Sequence, residues 1–241
     1  DGAVTAHGLN PYALAPEAAK TKGPDTIYWQ LLRQAGPVHG RINNGDLKTI
    51  YPPVAQAAFA LAYTLKPWSL VAWRMVCLGG ELATLALLLT LLAHAGRSPL
   101  WSSLYWWNPL VIKELINSAH MEAVLLPLVL LAVLFAIKGW FVRAAATLGC
   151  AAGAKLWPLL LAPLLLRPLL SDWRRLAAAL GVLGVLMLLW IWPIYAGGVD
   201  ATSGFVAYAQ RWRTNSALSP MVERLSEFLF ARFGVAEATR D

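Results

Sequence analysis

No Asp, Glu, Lys or Arg interrupts the chain between Leu176 and Val199, and Arg174, Arg175 and Asp200 bound the run. Shorter charge-free runs cover Leu82–Gly96, Ala123–Ile137 and Leu156–Leu166. A helix needs about 20 apolar residues to cross the ~30 Å hydrocarbon core of a bilayer. The pattern predicts apolar segments over 69–95, 99–117, 119–137, 142–155, 156–169 and 176–196. It therefore predicts an all-α, polytopic transmembrane helical bundle.

Residues 1–51 read differently. Asn10-Pro11, Gly23-Pro24, Gly36-Pro37 and Asn43-Asn44-Gly45 break them into a long polar loop. A short apolar stretch, Pro52–Leu65, follows. Its length suits a juxtamembrane or re-entrant helix better than a full span. The expected organisation is an extramembrane loop with that helix over 1–67, a bundle of about six segments over 68–196, and a second loop over 197–241. The Asp in place of an initiating Met, and the polar end at Asp241, suggest a piece of a longer chain.

Composition changes the picture only slightly. Charged residues make up 14% of the chain and hydrophobic ones 58%, against about 25% charged in soluble domains. The 12 Trp suit the interfacial belts of a membrane protein. The net charge of +7 is spread along the chain, which argues against a nucleic-acid partner. The turns holding Arg97, Lys138/Arg143 and Arg167/Arg174/Arg175 carry six basic residues against one acid, Asp172. The positive-inside rule assigns them to the cytoplasm. Residues 1–67, the turns 118–120 and 155–157, and the segment after 196 then lie outside.

Ionisable groups inside apolar helices are costly and face the bundle interior or a wet cavity. Arg74 and Glu81 share one helix face. Lys113 can meet Asn117 one turn on, and Asn117, His120 and Glu122 cluster at an outer helix end. Lys155 sits alone at the junction of two short helices, either snorkelling or offering a point charge to a phosphate. Arg211 and Arg213 stand among aromatics on the same outer face. His120 beside Glu122 admits a divalent cation, although no second pair supports one, and no cofactor is firmly expected. Cys77 and Cys150 read as small apolar residues. Gly79-Gly80 and Gly181/Gly184 read as close-packing positions. No phosphate-binding Gly-rich loop, nucleophile elbow or zinc-protease motif is present.

Several segments carry a resemblance in order and spacing: Asp1-Gly2, Gly8-Leu9-Asn10-Pro11-Tyr12, Thr49-Ile50-Tyr51-Pro52-Pro53, Trp107-Asn108-Pro109-Leu110, Asn117–Glu122 and Ala154–Pro158. With the Tyr208–Asn215 stretch, the series resembles the polyprenol-phosphate-sugar-dependent glycosyltransferases of the GT-C superfamily, nearest the bacterial mannosyltransferase-like members. The resemblance implies an inner-membrane enzyme with its active site facing outside. It would move a sugar, expected to be mannose, from a polyprenyl-phosphate donor to a lipid or glycan acceptor, with inversion. It also implies a carboxylate base in the first loop, for which Asp1 is the candidate unless the base precedes this chain. The implied donor-phosphate ligands are Arg74, Lys155 and Arg211. Asn10, Tyr12, Tyr51, Asn117, His120, Glu122 and Tyr208 are then expected to line the substrate site. The competing expectation is a carrier for a lipid-linked sugar, which should show internal repeats and paired discontinuous helices. No such repeat stands out, and the polar groups gather at one surface.

Overall fold

The computed structural model describes residues 1–211, 220–222 and 224–226, and every regular element among them is helical. In the first loop lie α1 (Gly2–Ala6) and α2 (Ile27–Ala35). The core-forming helices are α3 (Pro53–Leu65), α4 (Leu70–His94), then the fragments α5 (Ser103–Trp106) and α6 (Pro109–Val111), and α7 (Glu122–Ile137). They continue with α8 (Phe141–Ala152), α9 (Ala162–Leu166), α10 (Trp173–Ala196) and α11 (Gly204–Arg211).

Two helices, α4 with 25 residues and α10 with 24, are long and apolar enough to cross a membrane. At 1.5 Å per residue each spans about 36 Å or more. Ser69 caps α4 by accepting from the Ala72 amide, and Asp172 caps α10 by accepting from the Arg175 amide. Past the end of α4, Gly96 adopts φ 63° and lets the Arg97 amide reach back to the Leu92 carbonyl at 2.8 Å. This is the left-handed closure that glycine permits and side chains resist.

Side-chain contacts fix the helix directions. Trp73 donates to the Ala119 carbonyl, and Gly80 meets the Ala123 carbonyl, so α4 and α7 start together and run the same way. Leu125 of α7 packs with Ala151 and Ala154, so α8 runs against α7. Ala145 packs with Ala179, and Trp190 donates to the Gly149 carbonyl, so α8 and α10 are parallel. Alanines and Gly149 cover the buried side of α8, which allows its neighbours to approach closely.

Between the parallel pairs the chain climbs back in pieces. Residues 99–117, expected as one helix, break into a 3-10 turn, α5, α6 and a π turn over Ile112–Asn117. The cause is local. The Asn108 side chain caps a new start at Leu110, and Pro109 cannot continue the preceding helix. A bend of 115° then separates Pro109–Asn117 from α7. Residues 156–169 are likewise fragmented, around Pro158, Pro163 and Pro168.

The polar first loop also departs from expectation, because its residues Ile27–Ala35 form the helix α2. Thr26 caps it and Gly36, at φ 51°, ends it, while Leu31 and Ala35 are buried. Helix α3 has 13 residues, about 20 Å, short of a full crossing. Of the glycines expected at close contacts, only Gly80 has a crowded neighbour; Gly79, Gly181 and Gly184 face open space.

Candidate active site

The alternation gathers one end of the bundle under the first loop. The start of α4, the start of α7, the end of α8 and the end of α10 all meet there. The opposite end carries Arg97, Lys138, Arg143, Arg167, Arg174 and Arg175 with Asp172. There Arg143 stacks on Trp140 at 4.7 Å and Arg175 pairs with Asp172 at 3.1 Å.

At the loop end, Asp1 precedes α1, and its Oδ2 accepts from the Thr49 hydroxyl at 2.8 Å. Thr49 Oγ1 itself accepts from the Gln56 amide at 2.9 Å and from the Tyr51 amide at 3.2 Å. Gln56, 2% exposed, also donates to the Tyr51 carbonyl and accepts weakly from Thr5. Gln56 thus orients the carboxylate through Thr49. Sequence reasoning missed it, although a lone Gln in the apolar helix α3 was a visible signal.

Asn10, Tyr12 and the Tyr51 backbone spend polar groups on holding the loop. The Asn10 amide donates to the Pro193 carbonyl at 2.7 Å, and its oxygen accepts from the Tyr12 amide. The Tyr12 hydroxyl donates to the Tyr51 carbonyl at 2.7 Å, and burial pushes that phenol upward from its ordinary pKa. With Tyr12 only 3% exposed, these three seat the loop on the end of α10, and the Tyr51 ring packs edge-on to Phe59 at 5.2 Å.

The cations form a second group around the 117–122 turn. Arg74 donates through Nε and Nη2 to the Asn117 carbonyl at 3.2 and 2.9 Å. It does not meet Glu81, which points inward to the Tyr105 hydroxyl. Lys155 pairs with Glu122. The expected Lys113–Asn117 contact is replaced by Lys113–Glu114 at 3.0 Å, with His120 on the other oxygen of Glu114 at 3.2 Å. Glu114, His120 and Glu122 share a cleft of about 400 Å3 with Tyr105 and Leu126. Among the described residues no group of three His, Cys, Asp or Glu could hold a metal ion.

Ties between the two groups are short. The Val54 amide of α3 donates to the Gly153 carbonyl beside Lys155, and Phe59 packs on Trp73 at 4.8 Å. Tyr208 lies on α11, whose first residue, Gly204, presses on the Lys48 carbonyl and Ile50. Arg211 ends α11, but its side chain, like all of Arg213, lies outside the described residues.

This chemistry joins a held carboxylate, two lysine- and arginine-borne charges and a cleft at one end of a membrane bundle. A family model described as alpha-(1->6)-mannopyranosyltransferase, N-terminal domain, of the MptA_B family, matches residues 1–170. The chain belongs to the MptA_B family. The match takes in Asp1, Arg74, Glu122 and Lys155 and stops short of α10 and α11. No curated protein and no solved structure matches the chain. As a member of the MptA_B family it is a membrane glycosyltransferase, and the family's activity implies a sugar donor and an acceptor.

Proposed function

We propose that the chain moves a mannosyl group from a polyprenyl-phosphate donor to an acceptor hydroxyl at the outer face of the cytoplasmic membrane, with inversion. Asp1 takes the proton of the acceptor hydroxyl. The acceptor oxygen bonds to the anomeric carbon while the bond from that carbon to the phosphate oxygen breaks. The polyprenyl phosphate leaves with the electron pair, and Lys155 and Arg74 receive its charge. Arg211 is the third cation proposed there, and divalent-metal assistance is not part of the scheme.

One observation carries this reading: Arg74 and Lys155 flank the same 117–122 turn, at the same helix ends as Asp1. Both cations already have protein partners, Lys155 a carboxylate and Arg74 a carbonyl. Neither needs a phosphate in order to be solvated. A phosphate therefore acts by exchange, displacing Glu122 from Lys155 and the Asn117 carbonyl from Arg74. Glu122 then stands free at the edge of the donor site, beside the His120–Glu114 pair, where a sugar hydroxyl can use it.

The test is transfer of labelled mannose from a polyprenyl-phosphate donor by the full-length protein in bilayer discs. Lys155→Ala should reduce transfer about 10²-fold, the scale of removing one preorganised charge-stabilising donor. Lys155→Arg should keep part of it, since a fork replaces a point charge. Asp1→Asn should abolish transfer with donor binding retained. An unchanged donor dependence in Lys155→Ala would leave this lysine as the structural partner of Glu122.

A further inference from the structure

A cleft of about 600 Å3 opens beside Asp1, where the first loop meets the α3–α4 corner. Its lining includes Arg41, Phe59, Tyr63, Lys66, Trp68 and Trp73. None of these six takes part in the scheme above. Among themselves the four rings form two contacts, Tyr63 edge-on to Trp68 at 5.5 Å and Phe59 tilted on Trp73 at 4.8 Å. All four stay partly accessible. Trp68 follows Pro67 and adopts φ 58°, a backbone region that bulky residues avoid. The turn therefore presents this indole to the cleft against its backbone preference, and such outliers gather where a ligand is held.

Partly accessible aromatic rings, a carboxylate and two cations around one cleft make a recognisable chemistry. The carbon-bound hydrogens of a pyranose face pack on an indole or phenol ring, while its hydroxyls donate to a carboxylate and accept from Arg or Lys. The volume lies within the range of small-molecule sites and exceeds what one sugar ring fills. The cleft also has a direction. Asp1 and Arg41 belong to the polar loop, so this side admits a hydrophilic ligand. Trp73 forms the far wall, and its indole nitrogen donates to the Ala119 carbonyl on the turn that Arg74 and Lys155 flank. A sugar in the cleft and a phosphate at Lys155 and Arg74 would thus stand on either side of Trp73.

We propose that this cleft is the acceptor subsite and that it takes the end of an oligosaccharide, stacked on Trp68 and Tyr63, with one hydroxyl at Asp1. The proposal rests on the transferase reading above for its use of Asp1, but binding of the saccharide does not require the chemistry. Arg41 and Lys66 hold the more distant sugar, and the volume of the cleft, larger than one sugar ring fills, makes two linked sugars better bound than one.

The experiment uses the full-length protein in bilayer discs and α(1→6)-linked mannotriose, with methyl α-mannoside for comparison. Equilibrium binding is measured without donor, and transfer kinetics are measured with a polyprenyl-phosphate mannose donor. Wild type should bind the trisaccharide at least tenfold more tightly than the monosaccharide. Trp68→Ala and Tyr63→Leu should each weaken trisaccharide binding tenfold or more and raise the acceptor KM to match, with the donor KM within twofold. Trp68→Phe, which keeps an aromatic face, should recover much of the binding and so separates stacking from misfolding. Saccharide binding that is lost in Trp68→Ala, in a protein that transfers nothing, supports the subsite and overturns only the transferase reading. Absence of trisaccharide binding by wild type, or a Trp68→Ala protein that changes the donor KM alone, overturns the subsite; the latter result would give the cleft to the prenyl chain.

Discussion

The ammonium of Lys48 stands 2.7 Å from Oδ2 of Asp200 and also donates to the Gly197 and Gly198 carbonyls, at 3.3 and 3.1 Å. One lysine, 8% exposed, so ties the first loop to the segment after α10. This contact matters to Asp1, because Thr49, its partner, is the next residue. The Lys48 ammonium first, then the Thr202 hydroxyl and amide, holds the Asp200 carboxyl at about 2, below its ordinary 3.8. The folded value is the lower one, so the tie favours the folded loop fully above about pH 4 and loses this contribution as pH falls through 2. The thermal midpoint of wild type should exceed that of Asp200→Asn by a constant margin from pH 8 to pH 4.5. The margin should close as pH falls from 3.8 towards 2. A margin that already closes between pH 7 and pH 5 would show that another group governs this contact.

Glu81 supplies a second prediction. It is 1% exposed in the middle of α4, and its Oε2 accepts from the Tyr105 hydroxyl at 2.9 Å. Its Oε1 and the Thr84 hydroxyl, one turn further on, have no partner. Tyr105 belongs to the broken segment that climbs beside α4, so this bond anchors α5 to the span. Tyr105→Phe leaves the buried carboxyl without its donor and should cost about 1–3 kcal/mol. Glu81→Gln keeps a partner for the phenol and should cost less. Thermal midpoints in one detergent decide the matter, and equal midpoints for Tyr105→Phe and wild type would refute the anchor.

Gly79 and Gly80 are neighbours in sequence and opposites in packing. A Cβ on Gly80 would lie 2.1 Å from the Ala123 carbonyl oxygen, whereas one on Gly79 would meet nothing within 4 Å. Pro127 explains why that carbonyl is available, since it lacks the amide that would bond Ala123 four residues back. The bare glycine surface then receives an oxygen that has no amide donor four residues on. Gly80→Ala should force the two helices apart, at about 1–3 kcal/mol. Gly79→Ala should be neutral or slightly stabilising, because Ala is the better helix former. If both variants unfold at the same temperature, the close approach of α4 to α7 is not a determinant of stability.

The long spans were legible because length and absence of charge are properties of the sequence alone, as Leu176–Val199 shows. The fragmentation of 99–117 was half legible. Asn108-Pro109 is a helix-start signal in plain view, but the π turn after it depends on tertiary packing against α4. Helix α2 had both end signals, Thr26 and Gly36, and was masked by the prolines and glycines around it. At the candidate site, Lys155, Glu122, Arg74 and Asn117 each stood out as polar groups in apolar surroundings. Their pairing did not, because Lys155 and Glu122 are 33 positions apart and Lys48 and Asp200 are 152 apart. Charge patterning identifies which residues must find a partner, and only the folded chain says which partner.

The last prediction concerns which end of the bundle faces out. The two ends differ in charge: six Lys or Arg and one acid lie in the turns around Arg97, Lys138–Arg143 and Arg167–Arg175, opposite the loop that carries Asp1. Retention of basic turns on the cytoplasmic side should put that loop outside, where a glycan acceptor could reach it. Asn43 and Ser171 are exposed, one on each end, and neither makes a hydrogen bond that a cysteine would remove. The native Cys77 is buried and Cys150 half-buried, so both are replaced by Ala before labelling. In intact cells a membrane-impermeant maleimide should then label Asn43→Cys and spare Ser171→Cys until the membrane is opened. The reverse pattern would turn the bundle over, place Asp1 in the cytoplasm, and remove the case for an extracytoplasmic acceptor.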